Sequence, residues 1–201
     1  MPRRVVIATA NKGKLSEIQR ILDVGDYRIA SQAEFNVESI AETGDTFLAN
    51  ALLKARHAAN ETGLIAIADD SGLSVDALNG DPGVRSARYA GDNASDQQNI
   101  DKLLQSLQAV DQQQRGASFH CAAVVVFPEE DMEPLVASGE WRGCIAGMRS
   151  GDGGFGYDPV FFDPRFGKCA AQMTAEEKNE CSHRGQAFRR IGALLEAALA
   201  Q

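Results

Sequence analysis

Short apolar runs alternate along this chain with stretches whose apolar residues recur every three or four positions. Arg4-Val5-Val6-Ile7-Ala8-Thr9 is a compact apolar run of the strand type. Leu15, Ile18, Ile21 and Leu22 then fall at helical spacing, which predicts a helix over 15–22 behind a loop at 11–14. A second strand is expected around 27–30. Positions 47, 48, 51, 52 and 55 again have helical spacing, with Asp45 or Thr46 as the cap and an end near 60–63. The apolar run 64–68 reads as a strand, 76–95 as a long Gly-, Pro- and Asp-rich loop, and 99–107 as a helix. Two β-rich runs, SFHCAAVVVF (118–127) and LVASGEWRGCIA (135–146), are joined by PEEDMEP and predict an antiparallel hairpin. A Gly-rich loop, GDGGFGYDP, follows. Thr174-Ala175-Glu176-Glu177 matches a capping box, and 186–199 forms a closing amphipathic helix. No internal repeat or low-complexity linker interrupts the pattern. The expectation is an α/β fold, a mixed β-sheet flanked by helices, in a single domain over 1–201.

Composition narrows the class. With 201 residues, 44% hydrophobic and 24% charged, the chain can bury a sizeable core. No segment approaches the roughly 18 consecutive apolar residues of a membrane span. The start, MPRRVVIATANKGK, has basic residues but no long apolar core and no A-x-A site, so no secretory leader is expected. Cys121, Cys144, Cys169 and Cys181 show neither C-x-x-C spacing nor a local histidine partner. Reduced thiols and a cytoplasmic location are therefore expected. The net charge of −8 repels nucleic acid and anionic membranes, so neither is an expected partner. An anionic substrate would need local lysines or a divalent cation.

Several short segments could carry chemistry. In Thr9-Ala10-Asn11-Lys12-Gly13-Lys14, a strand-to-helix loop offers backbone N–H groups and a helix dipole to phosphate. It is not a P-loop, because Ala8 and Leu15 stand where Gly and Ser or Thr are needed. Phe47, Asn50 and Lys54 share one helix face, so Lys54 either turns into a site or reaches solvent. Asp69 and Asp70 follow an apolar run. Adjacent residues of an extended segment point to opposite faces, so one acid would serve a site and the other the structure. A carboxylate there suits Mg²⁺, with Glu42 as a second ligand; two turn aspartates are the alternative. Gly153-Gly154-Phe155-Gly156-Tyr157-Asp158-Pro159 offers close backbone approach and aromatic faces, or simply a turn over core aromatics. Lys178 and Ser182-His183-Arg184-Gly185 lie at a helix junction, where His183 is a candidate titrating group.

In order, ATANKGK (8–14), ETGDTFLANALLKA (42–55), ADDSGL (68–73), DPGVRSARYAG (81–91), GGFGYDPVF (153–161) and EEKNECSHRGQA (176–187) resemble the inosine triphosphate pyrophosphatase family. That resemblance implies an elongated mixed α/β fold with two lobes and a central cleft, usually as a homodimer. It implies Mg²⁺-dependent cleavage of ITP, dITP and XTP to the monophosphate and pyrophosphate. Carried over, Thr9, Ala10, Asn11, Lys12, Gly13, Lys14 and Lys54 would hold the triphosphate. Glu42 and Asp70 would hold metal, with Asp70 also taking the proton of the attacking water. Ser71 would position the nucleotide and Phe155 would stack on the base. Gly156, Tyr157, Asp158, Lys178, His183 and Arg184 would line the base and sugar pocket. Ala49 replaces a Glu common in relatives, and Cys181 replaces an aliphatic residue.

Overall fold

The computed structural model describes residues 4–22, 25, 27–129 and 132–200. In chain order it contains β1 (Arg4–Ile7), α1 (Lys12–Ile21), β2 (Arg28–Ser31), α2 (Phe47–Thr62) and β3 (Ile65–Val75). There follow α3 (Asp96–Ser106), β4 (Gly116–Val126), β5 (Leu135–Ile145), β6 (Phe161–Asp163), β7 (Lys168–Cys169), α4 (Ala175–Cys181) and α5 (His183–Leu199). The strands are ordered β2-β1-β3-β4-β5-β6-β7 in one sheet. β1 is parallel to β2 and β3, while β6 is antiparallel to β5 and β7, so the sheet is mixed as expected. Among the described residues, no helix is long and apolar enough to cross a membrane.

Described residues of 1–70, 121–139 and 183–201 form one compact unit. Strand alternation there sorts side chains onto two faces. Val5, Ile7, Ile67, Cys121, Ala123 and Val125 pack with Ile18 of α1 and Phe188, Ile191 and Leu195 of α5. Val6, Ala66, Ala68 and Val124 face the other way, against Ala51, Ala55, Ala58 and Ala59 of α2. Each large side chain buried on the first face contributes about 1.5–3 kcal/mol. Those two layers fix where α1 and α2 begin, and both carry candidate site residues near those ends.

Described residues of 71–120 and 140–182 form a second unit. Its core joins Leu73, Val75, Ile100, Leu103, Trp141, Tyr157 and Phe161. The Trp141 and Phe161 rings meet edge-on with centroids 4.8 Å apart. Trp141 Nε1 donates to Asp163 Oδ2 at 2.7 Å, so the buried indole N–H is satisfied.

Several boundaries differ from the sequence expectation. β3 does not stop before the acids but continues through them to Val75, since Leu73 and Val75 supply an apolar face in the second unit. α1 starts at Lys12 rather than 15 because Asn11 caps it. α3 starts at Asp96, behind a Ser95–Gln98 capping box, and α5 starts at His183. The long loop at 76–95 contains two short 3-10 turns, Asp76–Leu78 and Gly83–Arg88. The Thr174–Glu177 capping box forms as predicted.

Candidate functional site

Two groups of predicted residues take shape, one in each unit. In the first unit, Thr9 Oγ1 accepts from the Asn11 N–H at 3.2 Å, and Asn11 Oδ1 accepts from the Lys14 N–H at 3.0 Å. That cap fixes the turn and leaves the backbone N–H groups of Lys12 and Gly13 at the positive end of α1, beyond the reach of intrahelical carbonyls. Lys14 Nζ lies 3.2 Å from Asp69 Oδ2, whose side chain is fully buried.

Thr46 caps α2 through the Ala49 N–H. One face of that helix presents Asn50 and Lys54 to Asp70. Asn50 Nδ2 donates to Asp70 Oδ2 at 3.1 Å, and Lys54 Nζ lies 3.4 Å from Asp70 Oδ1. Lys54 also donates to Glu42 Oε1 at 2.5 Å. Glu42 is brought in by its loop: the Gly44 N–H donates to Asn50 Oδ1 at 2.7 Å. A β-carbon on Gly44 would come within 2.7 Å of the Ala49 methyl and 2.8 Å of Asn50 Oδ1, so the close approach requires glycine. The site thus uses Asn50 as a pivot between loop and acid.

Asp69 and Asp70 do face opposite sides of β3. Asp69 meets Lys14 and, at 3.4 Å, Arg184 Nη2, whose other nitrogen donates to Glu17 Oε2 at 2.5 Å. Asp70 meets Lys54 and Asn50. Burial pushes the Asp70 carboxyl above the ordinary carboxylate range, and Glu42 adds to this; Lys54, Lys14 and the Asn50 hydrogen bond oppose it without cancelling it. Burial pulls the Lys54 ammonium down, yet Asp70, Asp69 and Glu42 together carry it above the ordinary lysine value. The two directions have different causes: burial dominates at Asp70, and the neighbouring acids dominate at Lys54.

Glu42 and Asp70 share Lys54 as a counterion and supply hard oxygen donors, the ligand type Mg²⁺ takes when substrate phosphates complete its shell. Among the described residues, no three His, Cys, Asp or Glu side chains gather as a metal-binding group. The donor set fits an ion bound by one or two carboxylates, not a cage built wholly from protein.

In the second unit, Asp158 organises the Gly-rich loop. Its Oδ2 accepts from the Phe155 N–H at 2.9 Å and from Lys178 Nζ at 2.5 Å. Lys178 Nζ lies 5.0 Å from the Phe155 ring centroid, so a buried ammonium is held beside an aromatic face. Tyr157 is a core residue: its hydroxyl donates to the Ser86 carbonyl at 2.9 Å, and burial raises its phenol well above the usual tyrosine value. Ser71 lies half-buried in β3, next to Asp70. His183 and Arg184 are buried at the start of α5, in the first unit.

Sequence reasoning missed Glu17 and Asp96. Glu17 stands three residues after Lys14 on α1, so helical spacing alone could have marked it. Asp96 accepts from the Gly156 N–H at 2.6 Å across 60 positions, and no local signal announces that.

Similar proteins place the chain. The model of the Ham1 family matches residues 5–194. A dITP/XTP pyrophosphatase of Pectobacterium atrosepticum is 57% identical over 187 residues, which is 93% of this chain and 95% of the relative. One from Vibrio vulnificus is 49% identical over 193 residues, 96% of each chain. The structure of a HAM1 protein from Coxiella burnetii aligns with a TM-score of 0.88 at 47% identity, covering 97% of this chain and 99% of that one. The Staphylococcus aureus Ham1 protein aligns with a TM-score of 0.85 at 43% identity, covering 98% and 100%. With the family model matching residues 5–194 and relatives of 49% and 57% identity covering nearly the whole chain, this protein belongs to the Ham1 family.

Proposed function

We propose that the chain hydrolyses nonstandard purine nucleoside triphosphates, namely ITP, dITP and XTP, to the monophosphate and pyrophosphate, which would keep deaminated purines out of DNA and RNA. The observation that carries this reading is Asp70, a buried carboxylate with a raised pKa held between Asn50 and Lys54. A carboxylate poised to accept a proton nearer neutrality is what a hydrolase needs beside its water.

The α1 N-terminus with Lys14, and Lys54 on α2, supply positive charge for a triphosphate that carries about four negative charges near neutral pH. Glu42 and Asp70 would hold Mg²⁺, which when bound neutralises charge on the phosphate oxygens and on the leaving pyrophosphate. Water adds across the α–β anhydride. Its proton passes to an Asp70 oxygen, and Asn50, donating to Oδ2, keeps that carboxylate from rotating. Lys54 then balances the charge that remains on Glu42.

Phe155 offers a stacking face to the base, and Lys178, fixed by Asp158, offers a donor to a 6-oxo group. Adenine presents an amino donor at that position, so the ammonium would be left unmatched, at a cost of about 1–3 kcal/mol. His183, Arg184 and Ser71 complete the proposed binding set. A homodimer and a cytoplasmic setting belong to the same proposal. The test compares kcat/KM for ITP, XTP and dITP with that for ATP and GTP in the presence of Mg²⁺. Preference for the first three supports the reading, and equal turnover of ATP refutes it.

A further inference from the structure

Asp96 lies outside every motif that carries the proposed chemistry, yet its carboxylate touches the loop that would take the base. It stands at the first position of α3, in the first turn behind the Ser95–Gln98 capping box, where the helix dipole attracts an acidic side chain. Its Oδ2 accepts from the Gly156 N–H at 2.6 Å, a charge-assisted bond. Gly156 has φ +59°, a left-handed conformation that leaves its N–H direction dependent on whatever holds it. The neighbouring Phe155 N–H is held by Asp158, and the Tyr157 hydroxyl by Ser86. Three successive residues are therefore pinned, and Gly156 is pinned from α3. A second tie joins the segment just before this loop to the same helix: Arg149 Nη2 donates to the Gln97 carbonyl at 3.1 Å and to Asp101 Oδ1 at 2.8 Å.

Resting on the functional reading above, we propose that Asp96 is a positioning residue that sets the Phe155–Gly156 backbone, and with it the aromatic face that receives the purine. It acts through Gly156. It need not touch the substrate. Binding by a face that is equally good in ground and transition states appears in KM and spares kcat. A phosphate-only ligand should not sense it at all.

The test compares wild type with Asp96→Ala and Asp96→Asn, the latter keeping an acceptor oxygen. Three readings are taken: KM and kcat for ITP, inhibition by inorganic tripolyphosphate, and amide hydrogen exchange of peptides spanning 153–161. For Asp96→Ala the expectation is a KM raised roughly three- to thirty-fold, a kcat within about twofold, unchanged tripolyphosphate inhibition and faster exchange at 155–156. Asp96→Asn should recover part of the KM. An unchanged KM overturns the proposal, as does equal weakening of ITP and tripolyphosphate, which would mark a general loss of structure. Unchanged exchange also overturns it, whatever the kinetics. A wild-type protein that cleaves no 6-oxo purine triphosphate would overturn the functional reading and this role together, and the exchange result would then report only on the loop.

Discussion

Replacing Asp70 by Asn separates chemistry from folding more cleanly than any other single change. The residue is 5% exposed and isosteric with its replacement, so no cavity forms. The amide oxygen can still accept from Asn50, whose Nδ2 lies 3.1 Å away. What disappears is the negative charge and the proton acceptor. Losing a positioned base costs about 10²–10⁴-fold in rate. Stability should move little, and its sign can be worked out. The folded-state pKa of Asp70 is raised, so the native state holds this proton more tightly than the unfolded chain. Such a group favours the fold below its unfolded pKa and loses that contribution as pH rises through the raised value. Near neutrality the charged carboxylate is therefore a net cost, which Asn removes, while Lys54 keeps Glu42 at 2.5 Å as its partner. The expected change is within about 1 kcal/mol, or roughly 2–4 °C in Tm. Any advantage of Asp70→Asn should shrink on acidification, as the wild-type residue becomes protonated. The assays are pyrophosphate release from ITP and thermal unfolding at pH 5 and pH 8. Full activity in the variant, or loss of activity only together with loss of the fold, would refute the reasoning.

Three further outcomes follow from the same geometry. Lys178→Met should lower kcat/KM for ITP about 5- to 150-fold, corresponding to one buried hydrogen bond of about 1–3 kcal/mol, with a smaller effect on ATP; steady-state kinetics on both substrates check it. The acid limb of kcat/KM for ITP should fall at a pH above that of an ordinary carboxylate, since ionised Asp70 is needed and its pKa is raised; a pH–rate profile reads this directly. Chelation of divalent ions should abolish turnover and Mg²⁺ should restore it, while the melting temperature of the nucleotide-free protein changes little, because the two carboxylates already have Lys54 as counterion.

Much of the first unit's candidate site could be read locally. The strand, loop and helix order around Thr9–Lys14 is legible from local pattern, although the Asn11 cap starts the helix at Lys12, inside the expected loop. The alternation that separates Asp69 from Asp70 is likewise a property of extended backbone. What could not be read is where β3 ends. An apolar run followed by two acids looks finished, and only the second unit's need for Leu73 and Val75 carries the strand onward. The partners of the acids were equally hidden. Arg184 reaches Asp69 across 115 positions and Glu17 across 167, and Asp96 reaches Gly156 across 60. Such pairings are decided by packing of the whole fold, to which local spacing is blind. Helix starts were misjudged for a simpler reason: polar first turns, such as Asp96-Gln97-Gln98 and His183-Arg184, carry no apolar periodicity to reveal them.

The central claim is cleavage at the α–β anhydride of a 6-oxo purine triphosphate, assisted by Asp70. It is tested most directly by incubating the protein with XTP and Mg²⁺ and quantifying pyrophosphate and orthophosphate independently, with Asp70→Asn alongside. One pyrophosphate per XTP consumed, no orthophosphate, and near-silence in the variant is the predicted result. Orthophosphate as the primary product, or undiminished pyrophosphate release by Asp70→Asn, would contradict it.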